Sequence, residues 1–308
     1  MKTLPCPRLL LQLTLALILL VPCSPASEGR PLIAILGAFP MELAALHKEF
    51  GVAVKPNGFT TTTLHGIRFD RGTVDGHDVI IFQAGSSIVN AAFQLQFALD
   101  HFPITHVLFA GIAGGIDPAL QVGDVVIPER WAYHSEAAYL NEDGNGGYIQ
   151  PAYFPKSEYA NFGMISPRPV RVIRDGMDRP QAMPFFAADT DLLAAARRAV
   201  PKLAPLSKAG RTISVTVGGV GVTGPVFLDN AKYREWVFQV WQARCLDMES
   251  TAYAQVCWAN EKPLLVIRGL SDLAGGQRGP NPIKVGDLTE VFDAAARVLH
   301  GVLGELPK

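Results

Sequence analysis

Cysteine is scarce in this chain of 308 residues: there are four, and Cys6 and Cys23 both fall near the N-terminus. Cys245 opens an apparent strand and Cys257 lies well into the helix after it, so two buried free thiols are expected and a disulfide scaffold is not. No excess of one charge exists either. The 27 basic and 28 acidic residues nearly cancel and form no basic stripe, which argues against a nucleic-acid partner. The seven histidines lack H-x-x-x-H or similar ligand spacing, so no metal site is expected. The glycine stretch "GIAGGI" lacks G-x-G-x-x-G spacing and the first strand ends in "GAFPME", not a glycine turn, which argues against a dinucleotide fingerprint. G-x-x-x-x-G-K-[ST] and G-x-S-x-G occur nowhere, which disfavours the P-loop and serine-hydrolase readings. No organic cofactor is implied.

Only one long apolar run stands out, over residues 9–21, and it is too short to cross a bilayer comfortably. Lys2 and Arg8 precede it, and "CSPASEG" follows with small residues Ser24 and Ala26 before a cut. Basic start, short apolar core and small-residue site read as a secretory signal over residues 1–26. The expected location is therefore periplasmic or secreted. A lipoprotein would use Cys23, which Pro22 disfavours. The mature chain would begin at residue 27, carry 25 basic against 28 acidic residues, and have no membrane segment. Its length fits one large α/β domain.

From Pro31 onward, apolar runs of strand length alternate with helical patterns, an order that predicts a largely parallel sheet with helices on both faces. "PLIAILGA" reads as a buried strand, with a helix after it. Asp75-Gly76 marks a hairpin, Ser86 or Ser87 a helix N-cap, and "RTISVTVGGVG" a single strand. Residues 131–186 are rich in Gly, Pro, Tyr and Asn. So long an irregular stretch is usually functional, and it reads as a lid or as part of a substrate pocket.

Ligands of such sheets lie beyond the carboxyl ends of the strands. There the chain places Glu42, the glycine stretch from Gly111 to Gly115, Thr223 to Phe227, Met248-Glu249 and Ser271-Asp272. Each has an ordinary explanation alone: helix-dipole partner for Glu42 and Glu249, turn cap for Asp272, core for Phe227. Arg268 is harder to dismiss, because a guanidinium inside an apolar strand needs an anionic or strongly polar partner. Three carboxylates converging from distant segments say more than any one of them.

"GAFPMEL", "FAGIAGGIDPALQVGDVVIP", "DMESTAYAQVC" and "VIRGLSDLAGG", in that order, resemble the nucleoside phosphorylase/nucleosidase superfamily. The likeness is to 5′-methylthioadenosine/S-adenosylhomocysteine nucleosidases and to plant bark (vegetative) storage proteins, the latter through "GGVGVTGPVFLDNAKYREW". It implies a three-layer α/β/α fold around a mixed, partly barrel-like sheet, and a homodimer or larger homo-oligomer. By the same resemblance Glu42 activates water, and Asp272, beside Ser271, protonates the purine. Glu249 holds the ribose hydroxyls and Met248 underlies the sugar. Phe227, beside Leu228, stacks on the base, and Arg268 flanks the nucleophile. Gly111 belongs to the ligand-facing bend. Phe109 and Ile112 stand where phosphorylases of the family hold phosphate with arginine and serine, and neither side chain can donate a hydrogen bond to an anion. The implied activity is hydrolysis of a purine nucleoside, adenosine- or methylthioadenosine-like. A non-catalytic nucleoside-binding or storage protein and a phosphate-dependent phosphorylase are the alternatives.

Overall fold

The computed structural model describes residues 30–52, 58–154, 157–277, 281 and 288–308. The segment expected to be an export signal, with Cys6 and Cys23, lies outside the described residues.

Strand β1 (Leu32–Gly37) is buried along its whole length, as its unbroken apolar run requires. Helix α1 (Pro40–Phe50) starts with proline in its first turn and stops at Gly51, whose φ of 67° closes the last turn onto the His47 and Lys48 carbonyls. Strands β2 (Phe59–Leu64), β3 (Ile67–Val74) and β4 (His77–Gln83) form an antiparallel meander. The β3–β4 turn is the expected Asp75-Gly76, both at positive φ. Then come α2 (Ile88–His101), β5 (Ile104–Gly115), β6 (Val125–Ile127) and β7 (Arg130–Tyr133).

Residues 131–186 run from β7 to β8 (Phe186–Ala187) through three pairs of short antiparallel strands. Helix α3 (Thr190–Ala199) follows, capped by Asp189, which accepts from the Asp191 and Leu192 amides. The stretch expected as one strand is broken in three: Arg211–Thr212, which pairs with Ser207–Lys208, then β9 (Val215–Val217) and β10 (Val220–Thr223). Gly218 and Gly219 separate β9 from β10 at φ 116° and 83°, a kink that sends β9 to pair with β6 and β10 to pair with β7. The chain ends with α4 (Ala231–Trp241), β11 (Ala243–Asp247), α5 (Ser250–Ala259), β12 (Leu264–Asp272) and α6 (Thr289–Gly304).

These twelve strands form one mixed sheet among the described residues, in the order β8-β7-β10-β11-β5-β1-β4-β3-β2. It branches at β5, which pairs in parallel with β1 and β12 and, at its glycine-rich end, antiparallel with β11. The parallel expectation therefore holds for β4-β1-β5-β12 and for β7-β10-β11, and fails where β11 meets β5, in the β2-β3-β4 meander, at β8 and between β12 and β6; the path does not close into a barrel. Helices α1, α3 and α6 cover one face and α2 and α5 the other. Cys245 and Cys257 are buried and free. No described helix is long and apolar enough to cross a membrane.

Candidate active site

The glycine stretch expected as a bend is the end of strand β5 itself, and at Gly111 it has no room for a side chain. A Cβ on Gly111 would lie 2.1 Å from Glu42 Oε1 and 2.2 Å from Arg268 Nη1. Glycine there lets a carboxylate and a guanidinium lie directly against the backbone. Glu42, in the first turn of α1, accepts from the Ile112 amide at 2.8 Å and from the Ala38 amide at 2.6 Å. Arg268 Nη1 stands 3.5 Å from its Oε1. Burial raises the Glu42 pKa to about 7, against the opposing pull of Arg268. A carboxyl group poised there exchanges a proton near neutral pH.

Arg268 is wholly buried, and its partners answer the question its strand position poses. Its Nε donates to Asp247 Oδ2 at 2.7 Å and its Nη2 to Glu249 Oε2 at 2.9 Å. Burial opposes its charge, but Asp247, Glu42 and Glu249 together hold its pKa above the usual arginine value. Asp247 is itself fixed by hydrogen bonds from Thr223 Oγ1 at 2.6 Å and from the Ser250 hydroxyl. Glu249 accepts at 2.8 Å from the Ser87 amide, and burial raises its pKa too, opposed by Arg268. Ser87 does hold the N-cap position of α2, but its side chain makes no capping bond, and at φ 71° and ψ 157° it turns its amide toward Glu249.

Asp272 closes β12, in register with Gly114. Its Oδ1 accepts from the Ala274 amide at 2.7 Å and its Oδ2 from the Ser271 hydroxyl at 2.7 Å. Burial pushes its pKa up. The turn-capping role open to a lone aspartate is thus real, and the carboxyl group also lines the cleft. Glu42 and Asp272 meet β5 at Ile112 and Gly114, two residues or roughly 7 Å apart along the strand.

Between these acids opens a cleft. Glu42, Ile112, Met248, Glu249, Ser271 and Asp272 all line it, together with Phe227 and Leu228. Phe227 is 62% exposed, so its aromatic face is open to solvent. Gly111 and Arg268 lie behind this wall. Asp247, Phe39 and Ser86 also line the cleft and were not singled out from sequence. Asp247 was findable, because it is the last residue of its strand and a buried arginine demands an acid. None of the described residues of 131–186 lines the cleft. The aromatics of that segment turn to α4 instead, where Phe162 packs on Tyr233 and Trp236.

A branched mixed sheet with an acid-lined cleft beyond its strand ends is the architecture of the nucleoside phosphorylase and nucleosidase class. The chain belongs to the Phosphorylase superfamily, which it matches over residues 32–306. It is 31% identical to the 5′-methylthioadenosine/S-adenosylhomocysteine nucleosidase of Geobacillus kaustophilus, covering 80% of this chain and 86% of that one. To the enzyme of the same name from Mycobacterium bovis it is 30% identical, over 88% and 96% of the two chains. The nucleosidase structure from Neisseria meningitidis, in complex with methylthio-immucillin-A, superposes with a TM-score of 0.64 at 22% identity, over 89% of this chain and 99% of that one. Futalosine hydrolase of Helicobacter pylori shares the fold with a TM-score of 0.66 at 20% identity, over 90% and 98%. With these relatives, the chain is an N-glycosyl hydrolase.

Proposed function

We propose that the protein is an exported purine nucleosidase that hydrolyses the N-glycosidic bond of an adenosine- or methylthioadenosine-like nucleoside, and that it works as a homodimer. The observation that carries hydrolysis over phosphorolysis is the ring of three carboxylates, Asp247, Glu249 and Glu42, around Arg268. Three acids around one guanidinium make the site unfavourable for a phosphate dianion, and Phe109 and Ile112 add no donor side chain. Water needs neither.

Cleavage builds positive charge on the sugar and negative charge on the departing purine. Glu42, with its pKa near 7, takes the proton of the attacking water; Asp272, whose burial favours the neutral acid, supplies one to the purine. Each proton transfer is typically worth about 10²–10⁴-fold in rate. The names of the relatives support an adenine nucleoside, and Glu249 and Phe227 on the cleft wall suit its ribose hydroxyls and its base. Export is supported by the sequence of residues 1–26 alone.

The mature protein incubated with a nucleoside panel, with and without phosphate, separates the alternatives. Free base with ribose, independent of phosphate, is expected. Ribose 1-phosphate would make it a phosphorylase, and saturable binding without product a storage-like protein. The N-terminal sequence of protein recovered outside the cytoplasm tests export, and a start at residue 27 is expected.

A further inference from the structure

Phe109 does more than withhold a phosphate ligand. Its ring is fully buried, and the Arg268 guanidinium carbon lies 4.0 Å from the ring centroid. Tyr253 meets the same ring edge-on, with centroids 4.6 Å apart and planes at 74°. The guanidinium is thus held by its polar edge on Asp247 and Glu249 and by one flat face on Phe109. Its Nη1 makes no hydrogen bond and points past Gly111 toward Glu42, 3.5 Å away.

We propose that Phe109 is a positioning residue, the aromatic platform that keeps Arg268 Nη1 beside Glu42 where the attacking water is activated. The inference rests on the hydrolytic reading above. Carboxylates alone would draw the guanidinium toward Asp247 and Glu249, because both of its hydrogen-bonded partners lie on that side. The negative face of a benzene ring attracts the cation perpendicular to that pull, and out of water the attraction is strong. A leucine would fill part of the space without that face. Phe109 lines no part of the cleft, so its loss should act on turnover and not on substrate binding.

The test compares wild type, Phe109→Leu and Phe109→Tyr, and adds a series in which residue 109 is mono-, di- or trifluorophenylalanine. Fluorine drains the ring face while almost keeping its shape, so the series stays informative even where Phe109→Leu fails to fold. The proposal expects kcat of Phe109→Leu to fall about tenfold or more with KM little changed. It expects substantial rescue by Phe109→Tyr, and a stepwise fall in kcat with each fluorine. A flat fluorine series, or a loss confined to KM, would overturn it. Wild type that cleaves no nucleoside would sink the hydrolase reading instead. In that case the Arg268 Nε–H proton resonance still decides the platform: the ring current shifts it upfield in wild type, and an unchanged shift in Phe109→Leu rules the platform out.

Discussion

Glu42 gives the fold a pH dependence of its own. Its folded pKa of about 7 exceeds the 4.5 of an ordinary glutamate. The folded state therefore prefers the protonated group. That contribution to stability is complete below pH 4.5 and is lost as pH rises through about 7. Glu42→Gln removes the titration. Whatever the variant costs at pH 5, where glutamine must face two backbone amides, its stability relative to wild type should improve by about 2–3 kcal/mol by pH 8.5. Denaturant midpoints at the two pH values measure this, and a constant gap would mean that Glu42 ionises as freely as in water. Sequence reasoning flagged Glu42 and Arg268 by position and by misplaced charge. It read Gly111 as backbone approaching a ligand, whereas the groups packed on that glycine are Glu42 and Arg268 themselves. Asp247 stayed hidden because the search began one residue beyond its strand.

At the scale of elements, the helix starts show where local rules hold and where the site overrides them. Asp189 caps α3 with two backbone hydrogen bonds, and Asn230 caps α4 by accepting from the Tyr233 amide. Alanine at either position should cost about 1 kcal/mol. Ser87 has the right chemistry and the wrong conformation: φ 71° and ψ 157° lie in a region that glycine alone enters freely, at a strain of about 1–3 kcal/mol. Ser87→Gly keeps the amide that holds Glu249 and releases that strain. Against it stands glycine's entropy cost of about 0.5–1 kcal/mol, so a net gain of about 0–2.5 kcal/mol is expected. Urea unfolding of the three variants checks the contrast, and a loss in Ser87→Gly as large as in Asp189→Ala would refute it. The same balance explains what was legible. Strands β1, β5 and β12, the Asp75-Gly76 hairpin and the terminal helix follow from periodicity and turn chemistry. The Gly218-Gly219 kink and the conformation of Ser87 depend on strands and acids that meet only in three dimensions.

For the whole molecule, the open question is what lies against the outer face of α2. Val89, Phe93, Phe97 and His101 repeat every fourth residue, so they form one stripe along the helix. Phe97 stacks on His101 with centroids 4.0 Å apart, and Phe93 follows at 6.3 Å from Phe97. Yet Val89 is 74% exposed and Phe93 61% exposed, an apolar edge that water covers poorly. A second copy of the chain, packed stripe to stripe about a two-fold axis, would cover both edges at once. The stripe begins two residues after Ser87, whose amide holds Glu249, and Ser86 lines the cleft. Association there would brace the wall that carries Glu249. Light scattering should therefore give twice the chain mass for wild type and a single-chain mass for Phe93→Glu. The variant should keep its circular dichroism, since Phe93 lies outside the core, and lose nucleoside cleavage in proportion to its dissociation. A wild-type monomer would refute the association, and a Phe93→Glu dimer would move the interface elsewhere; either would leave α2 facing solvent.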